Sequence, residues 1–139
     1  MSDANTDVIY RQSGHVTSTR VLPPEGTHRR FESTHEGAGT LAGHQINGII
    51  TYTSTAISLD SFTGEAHGIL TAQEGGDIAL WYASGATRRV AGADELIWRG
   101  YAVLESQSPK FSELNGAVLD TVVRVGDDGT VSVRSARWK

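Results

Sequence analysis

Glu65 and His67 stand two residues apart in the stretch SFTGEAHGIL, residues 61–70. Side chains of an extended chain alternate, so Glu65, His67 and Ile69 share one face and Ala66, Gly68 and Leu70 the other. Turned into a pocket, the carboxylate and imidazole form a desolvated acid/base pair whose pKa values burial can tune for proton transfer. Turned outward, they are a solvated surface pair, and glutamate is rarely buried. The stretch ELIWRGYAVLES, residues 95–106, poses the same choice. Arg99, Tyr101 and Glu105 lie on one face with Ile97 and Val103; Leu96, Trp98, Gly100, Ala102 and Leu104 lie on the other. The mixed face, if inward, sets the Tyr101 hydroxyl and the Arg99 guanidinium as anchors for a carbonyl or enolate. Transfer energetics favour the apolar face inward.

The candidate catalytic residues are therefore Glu65, His67 and Tyr101. The candidate substrate-binding residues are Tyr52, Trp81, Tyr82, Trp98, Arg99 and Glu105. Aromatic walls suit a hydrophobic, polyketide- or polyene-like ligand, because they supply area and π-faces without reactivity. Plain core packing is the alternative for the same rings. Five histidines raise the question of a metal. None forms an H-x-H or H-E-x-x-H set, and His28 and His35 differ by an odd spacing that separates their faces, so no metal site is expected. The chain has no cysteine, which removes disulfides, thiolate catalysis and Cys-ligated clusters. It has neither a G-x-S-x-G elbow nor a G-x-G-x-x-G turn, so no cofactor is expected.

These side chains need strands to hold them. The 139 residues fit one domain, and sixteen glycines against three prolines suggest many short segments joined by turns. Residues 1–7 read as a polar, frayed tail, and 8–139 as a single β-domain. GHVTSTRVL (14–22) alternates Val16, Ser18 and Arg20 against Thr17, Thr19 and Val21, and ends at Pro23-Pro24. HRRFESTHEGAG (28–39) alternates Phe31, Ser33 and His35 against Arg30, Glu32 and Thr34. INGIITYTSTAISL (46–59), TGEAHGILTA (63–72), DIALWYAS (77–84) and ELIWRGYAVLES follow. AVLDTVVRV and TVSVRSARW flank GDDG, a hairpin signal. Asp120 and Arg124 share a face there and read as an exposed ion pair, either cross-strand or i, i+4. SPKFSELNG (108–116) is the one helical turn, near 109–114, with Ser108 as N-cap, Pro109 at N1 and Asn115-Gly116 closing it. It is expected to cap one end, burying Phe111 and Leu114. Eight strands with short connections predict an all-β, closed, antiparallel up-and-down barrel. A sandwich would need longer crossovers.

The segments GHVTSTRVL, EGAGTLAG, GEAHGILTA and SPKFSELNGAVLDTVVRVGDDGTVSVRSARWK together resemble a family of small bacterial proteins. Its members show G-x-x-T-x-T-R-V-L, G-E-G-x-G-V, S-P-K-x-x-x-L-N and D-x-x-G motifs and a final Trp-Lys. The resemblance covers residues 14 to 139. It implies a calycin-like barrel, similar to allene-oxide-cyclase and dirigent-type barrels and to small barrels that fold polyketides in cofactor-free cycloadditions. The chain departs from the pattern at Gly64-Glu65-Ala66-His67-Gly68, at ALWYASG and at Ala136-Arg137-Trp138.

The net charge of −4, with no basic stripe, argues against nucleic-acid and anionic-membrane partners. No apolar run is long enough to span a membrane, and MSDANTDVIY lacks the features of a signal peptide, so a cytoplasmic protein is expected. The leading functional expectation is a cofactor-free cyclase or isomerase acting on a hydrophobic small molecule in the lumen. The alternatives are a non-catalytic, lipocalin-like binding protein and a barrel filled with its own side chains. Whether two such barrels pair through exposed strand faces as a homodimer is left open by the sequence.

Overall fold

The computed structural model of the protein describes residues 7–89 and 92–137. Most of the expected tail and the terminal Trp138-Lys139 lie outside the described residues. Eight strands follow in order: β1 (Val8–Glu25), β2 (His28–Leu41), β3 (His44–Ala56), β4 (Ser61–Ala72), β5 (Ile78–Arg88), β6 (Glu95–Glu105), β7 (Val118–Gly126) and β8 (Thr130–Arg137). Each pairs antiparallel with the next, and β8 returns to β1 through pairs such as Tyr10 with Ser135 and Gln12 with Val133. The sheet is thus a closed meander, as the turn signals and strand count predict. Among the described residues, no helix is long and apolar enough to cross a membrane.

Alternation sorts the residues into a lumen and an outer wall. Ile46, Ile50, Ala66, Leu70, Trp81 and Trp98 are among the buried lumenal residues. The face of β4 that enters the lumen is the small one: Gly64, Ala66 and Gly68 are buried. An eight-stranded barrel is just wide enough for side chains to fill it or to hold one small ligand, so rings from some strands require bare backbone on others. Gly85 and Gly100 are direct cross-strand partners. A Cβ on Gly85 would lie 2.7 Å from Trp98 Cζ2, and one on Gly100 2.8 Å from Trp98 Cη2. Those distances are tighter than carbon atoms tolerate, so the Trp98 indole fits only over glycine.

Two expectations about β1 need correction. The alternation across residues 14–22 is not continuous. A register shift between Val16 and Ser18 pairs Val16 with His35 but Ser18 with Thr34. The bulge therefore sends Val16 and Ser18 to opposite faces. The strand also passes through Pro23 and Pro24 to Glu25. Both prolines fall in a second register shift, between Leu22 and Glu25, where no ladder N–H is needed.

The connection from β6 to β7 closes the base. Its helical part is a 3-10 turn, Ser112–Leu114, so it starts three residues after Pro109, and the residue before it is Phe111, with no side-chain cap, in place of Ser108. Ser108 initiates the segment: its carbonyl accepts from the Phe111 and Ser112 amides, and its Oγ accepts from Lys110 N at 3.2 Å. The same hydroxyl donates to Asp77 Oδ1 at 2.6 Å, and Lys110 Nζ lies 3.2 Å from Asp77 Oδ2. Asn115 adds bonds in both directions to the Ser106 backbone, at 2.8 and 2.9 Å. Phe111 and Leu114 are each 1% exposed, and the His44 ring meets Phe111 edge-on at 5.7 Å. Phe111→Ala should therefore lower unfolding free energy by about 3–5 kcal/mol in urea titrations. Ser112→Ala, two atoms' change on the exposed side of the same turn, should stay within about 0.5 kcal/mol.

Candidate functional site

The nine residues singled out from sequence divide between the two faces of the wall. Tyr52, Trp81 and Trp98 enter the lumen. Glu65, His67, Tyr82, Arg99, Tyr101 and Glu105 project from the outer wall, and all six are exposed. The mixed face of β6 is the outer one, as transfer energetics favour. The lumenal placement entertained for Glu65, His67 and Tyr101 does not hold, because Gly64, Ala66 and Gly68 take the inward positions of β4. These outer residues are nonetheless brought together. Glu65 pairs across the ladder with Ser84, and Ser84 with Tyr101. His67 pairs with Tyr82 in the adjacent row. A groove of about 650 Å³ runs over this wall, lined by Arg30, Thr53, Glu65, Ser84, Arg99 and Tyr101. It continues into a depression of about 540 Å³ that His67 and Tyr82 also line. Of the two ion-pair geometries read from sequence, Arg124 takes the cross-strand one: its Nη1 lies 2.7 Å from Glu95 Oε1 on β6.

The lower lumen is a closely packed core. Tyr10 and Trp81 meet edge-on at 6.0 Å, and both are fully buried. Tyr10 Oη donates to Gln12 Oε1 at 2.6 Å, and Gln12 Nε2 donates to the Gly48 carbonyl at 3.3 Å. Thr121 and Ser135 hydroxyls pair at 2.9 Å.

The upper lumen is different. His35, on β2, is 2% exposed and stacks on Tyr52 of β3 at 5.2 Å with 18° between the planes. Tyr52 in turn meets Trp98 of β6 edge-on at 6.1 Å. Four buried polar atoms of this cluster have no hydrogen-bond partner among the described residues: His35 Nδ1 and Nε2, Tyr52 Oη and Trp98 Nε1. Trp81 Nε1 is a fifth, lower in the lumen. Each buried unpaired donor or acceptor costs about 1–3 kcal/mol. Native proteins keep few such groups, and each one calls for an explanation, such as a bound ligand, an ordered water or a catalytic role. Burial pushes the His35 imidazole down from 6.5 to about 4, so the ring is neutral at physiological pH. Burial pushes the Tyr52 phenol well above its ordinary value, so it is a neutral hydroxyl. The cluster thus offers donors from Tyr52 and Trp98, one donor and one acceptor from His35, and no formal charge. Above it the mouth carries Phe62, with the Arg29 guanidinium 5.8 Å over its ring.

His35 was weighed in the sequence only as a metal ligand. The signal that places it is the alternation Phe31, Ser33, His35, which continues through Gly37 and Gly39 to buried Leu41. Among the described residues, no three His, Asp or Glu side chains gather as a metal-binding group.

No family model matches the chain, and no curated protein matches it. Two solved structures share its architecture. One is a conserved protein of unknown function from Rhodopseudomonas palustris, with a TM-score of 0.79 at 10% identity, over 94% of this chain and 95% of that one. The other is a protein of unknown function from Clostridium acetobutylicum, with a TM-score of 0.78 at 11% identity, over 94% and 93%. Identities so low show a shared fold and nothing about chemistry.

Two measurements test the cluster. The unfolded chain protonates His35 near 6.5 and the folded chain only near 4. Folding stability is therefore full above about pH 6.5 and falls as the pH drops toward 4. The loss is about 1.4 kcal/mol per unit, so about 3 kcal/mol over the window. His35→Phe, which keeps the stack and removes the titration, should flatten the urea midpoint over that range. Gly100→Ala should cost at least about 1–3 kcal/mol, because the new Cβ runs first into the Ser84 carbonyl across the ladder and then into Gly85 Cα and the Trp98 ring, read as a lowered Tm and a shifted tryptophan emission.

Proposed function

We propose that the protein is a small-molecule-binding barrel, holding a neutral and mostly apolar ligand in the upper lumen against His35, Tyr52 and Trp98. The observation that carries this reading is the set of unpartnered polar atoms on those three stacked rings. Their donors suit a carbonyl or hydroxyl, and their faces suit a flat or polyene body. An uncharged cluster in a desolvated site selects against ionic ligands, because nothing there offsets the cost of burying a charge. A ligand that reaches the cluster would pass Phe62 and Arg29, since the base is sealed by Phe111 and Leu114. The resemblance to calycin-like barrels of the allene-oxide-cyclase and dirigent type supports the same reading by architecture alone.

A cofactor-free cyclase or isomerase is the second reading. It is favoured by the neutral His35 ring stacked on the Tyr52 ring, which puts an imidazole and a phenol hydroxyl side by side, two groups able to move a proton at a bound carbonyl. Under it, acid/base duty falls to His35 and Tyr52, and Glu65, His67 and Tyr101 lie on the wrong side of the wall.

Tyr52→Phe separates a ligand site from an indifferent core. It removes one unpaired buried hydroxyl, so the ligand-free protein should be more stable in urea by about 1 kcal/mol. It should also weaken binding of neutral aromatic ketones, flavone first, by about tenfold in titration calorimetry. If flavone and a panel of polyene ketones all give no saturable heat with the unaltered protein, the binding reading fails. Conversion of a bound ketone above the uncatalysed rate, lost in His35→Phe, would decide for the enzyme.

A further inference from the structure

The outer wall carries a continuous apolar patch, which a monomer rarely leaves to water. Ile49, Ile69 and Leu80 are successive cross-strand partners in one row over β3, β4 and β5. Tyr82, Val103 and Val118 follow in the next row over β5, β6 and β7. Ile49 is 52% exposed, Ile69 50%, Tyr82 42% and Val118 43%. Beside this ridge, on the same wall, lies the groove of about 650 Å³.

Charges bound the patch in a particular order. The Ile49–Ile69–Leu80 row begins at Glu36 on β2 and ends at Glu105 on β6. Three rows along the strands, the row Thr55–Thr63–Ala86 begins at Arg30 on β2 and ends at Arg99 on β6. One edge is acidic at both corners and the opposite edge is basic at both corners. Among the described residues, none of these four charges makes an ion pair with its own chain. Arg30 Nε is buried and without a hydrogen-bond partner.

We propose that this face binds a second copy of the chain as an isologous dimer. The two-fold axis lies flat against the wall, perpendicular to the strands, between the Tyr82 row and the Tyr101 row. Each strand then faces itself antiparallel. The Ile49–Ile69–Leu80 ridge seats in the groove of the second copy, over its Thr55, Thr63 and Ala86. Glu105 meets Arg99 of the second copy, Glu36 meets its Arg30, and His67 meets its Glu65. Both the apolar rows and the charges are complementary under this one operation, as a two-fold interface requires. The patch spans about 20 Å along the strands and about 19 Å across them. That is about 380 Å² in projection around the curved wall, so side-chain relief and the flanking groove residues supply the rest of the roughly 800 Å² per partner of a stable interface. The proposal is independent of what the lumen binds.

The test is the oligomeric state by sedimentation equilibrium across the micromolar range. The unaltered protein should be a dimer, and Ile69→Asp should be a folded monomer by circular dichroism and mass. Glu105→Arg and Arg99→Glu should each raise the dimer dissociation constant about tenfold or more, since each creates two like-charged contacts. The double variant carrying both changes should restore dimerisation. Residues 99 and 105 lie about 20 Å apart along one strand, so restoration cannot come from contact within one chain. A protein that is monomeric throughout, or a dimer indifferent to Ile69→Asp, overturns the proposal. A double variant no better than the singles overturns the two-fold pairing. Monomers that instead bind a small dianion such as malonate through Arg30 and Arg99 would assign the groove to a ligand and also overturn it.

Discussion

The indole of Trp98 lies against Gly85 and Gly100, and that contact of a large ring with bare backbone governs how the barrel is filled. Eight strands enclose a narrow interior. Tyr10, Tyr52, Trp81 and Trp98 enter it from β1, β3, β5 and β6, and the space they need comes from glycine and alanine on the facing strands. Leu70, Ala79 and Leu104 complete the packing near the base. The glycine content that marks the chain as a β-protein is therefore also the mould for its aromatic rings.

That mould decides which chemistry faces which solvent. Because β4 must give Gly64, Ala66 and Gly68 to the lumen, Glu65 and His67 are left outside by parity alone. Because β6 must give Trp98, Gly100 and Ala102, the arginine and tyrosine between them are left outside too. The lumen keeps only uncharged polar groups, among them Gln12, His35, Tyr52 and the two indole nitrogens. Gln12 is tied to Tyr10 and to the Gly48 carbonyl, while Trp81 Nε1 and the upper groups have no partner among the described residues. A His35 ring stacked flat on Tyr52 points its nitrogens along the plane, away from the phenol, so packing itself prevents the two from satisfying each other.

Much of the fold is legible in the sequence, because it rests on local signals. The GDDG hairpin, the Pro109 and Asn115-Gly116 markers and the alternation of β2 and β6 each report on a few neighbouring residues. The closed meander follows from counting them. The candidate site is less legible. Two face assignments were ambiguous in the sequence because polar and small residues alternate on β4, and either set has a reason to be inside. The bulge between Val16 and Ser18 carries no residue signature and shifts parity without warning. His35 is concealed for a different reason: its burial depends on Val16 and Ile50, its partners across β1 and β3, and not on its neighbours in the chain. Arg124 finds Glu95 and not Asp120 for the same reason, since the nearer partner in space is on another strand.

The order of the strands has a kinetic side. Seven of the pairings join strands adjacent in the chain, and a hairpin of that kind forms with little loop to close. The pairing of β1 with β8 joins Tyr10 to Ser135, across nearly the whole described chain. Before that seam zips, the molecule is an open sheet with two bare edges and an unshielded row of isoleucines on its wall. The long arm of β1 places two prolines beyond its paired core, where they withhold amide donors from a passing strand. The seam is thus the step at which a slow folder of this shape would be lost to aggregation, and the stretch Tyr10–His15 is where the zipper must catch.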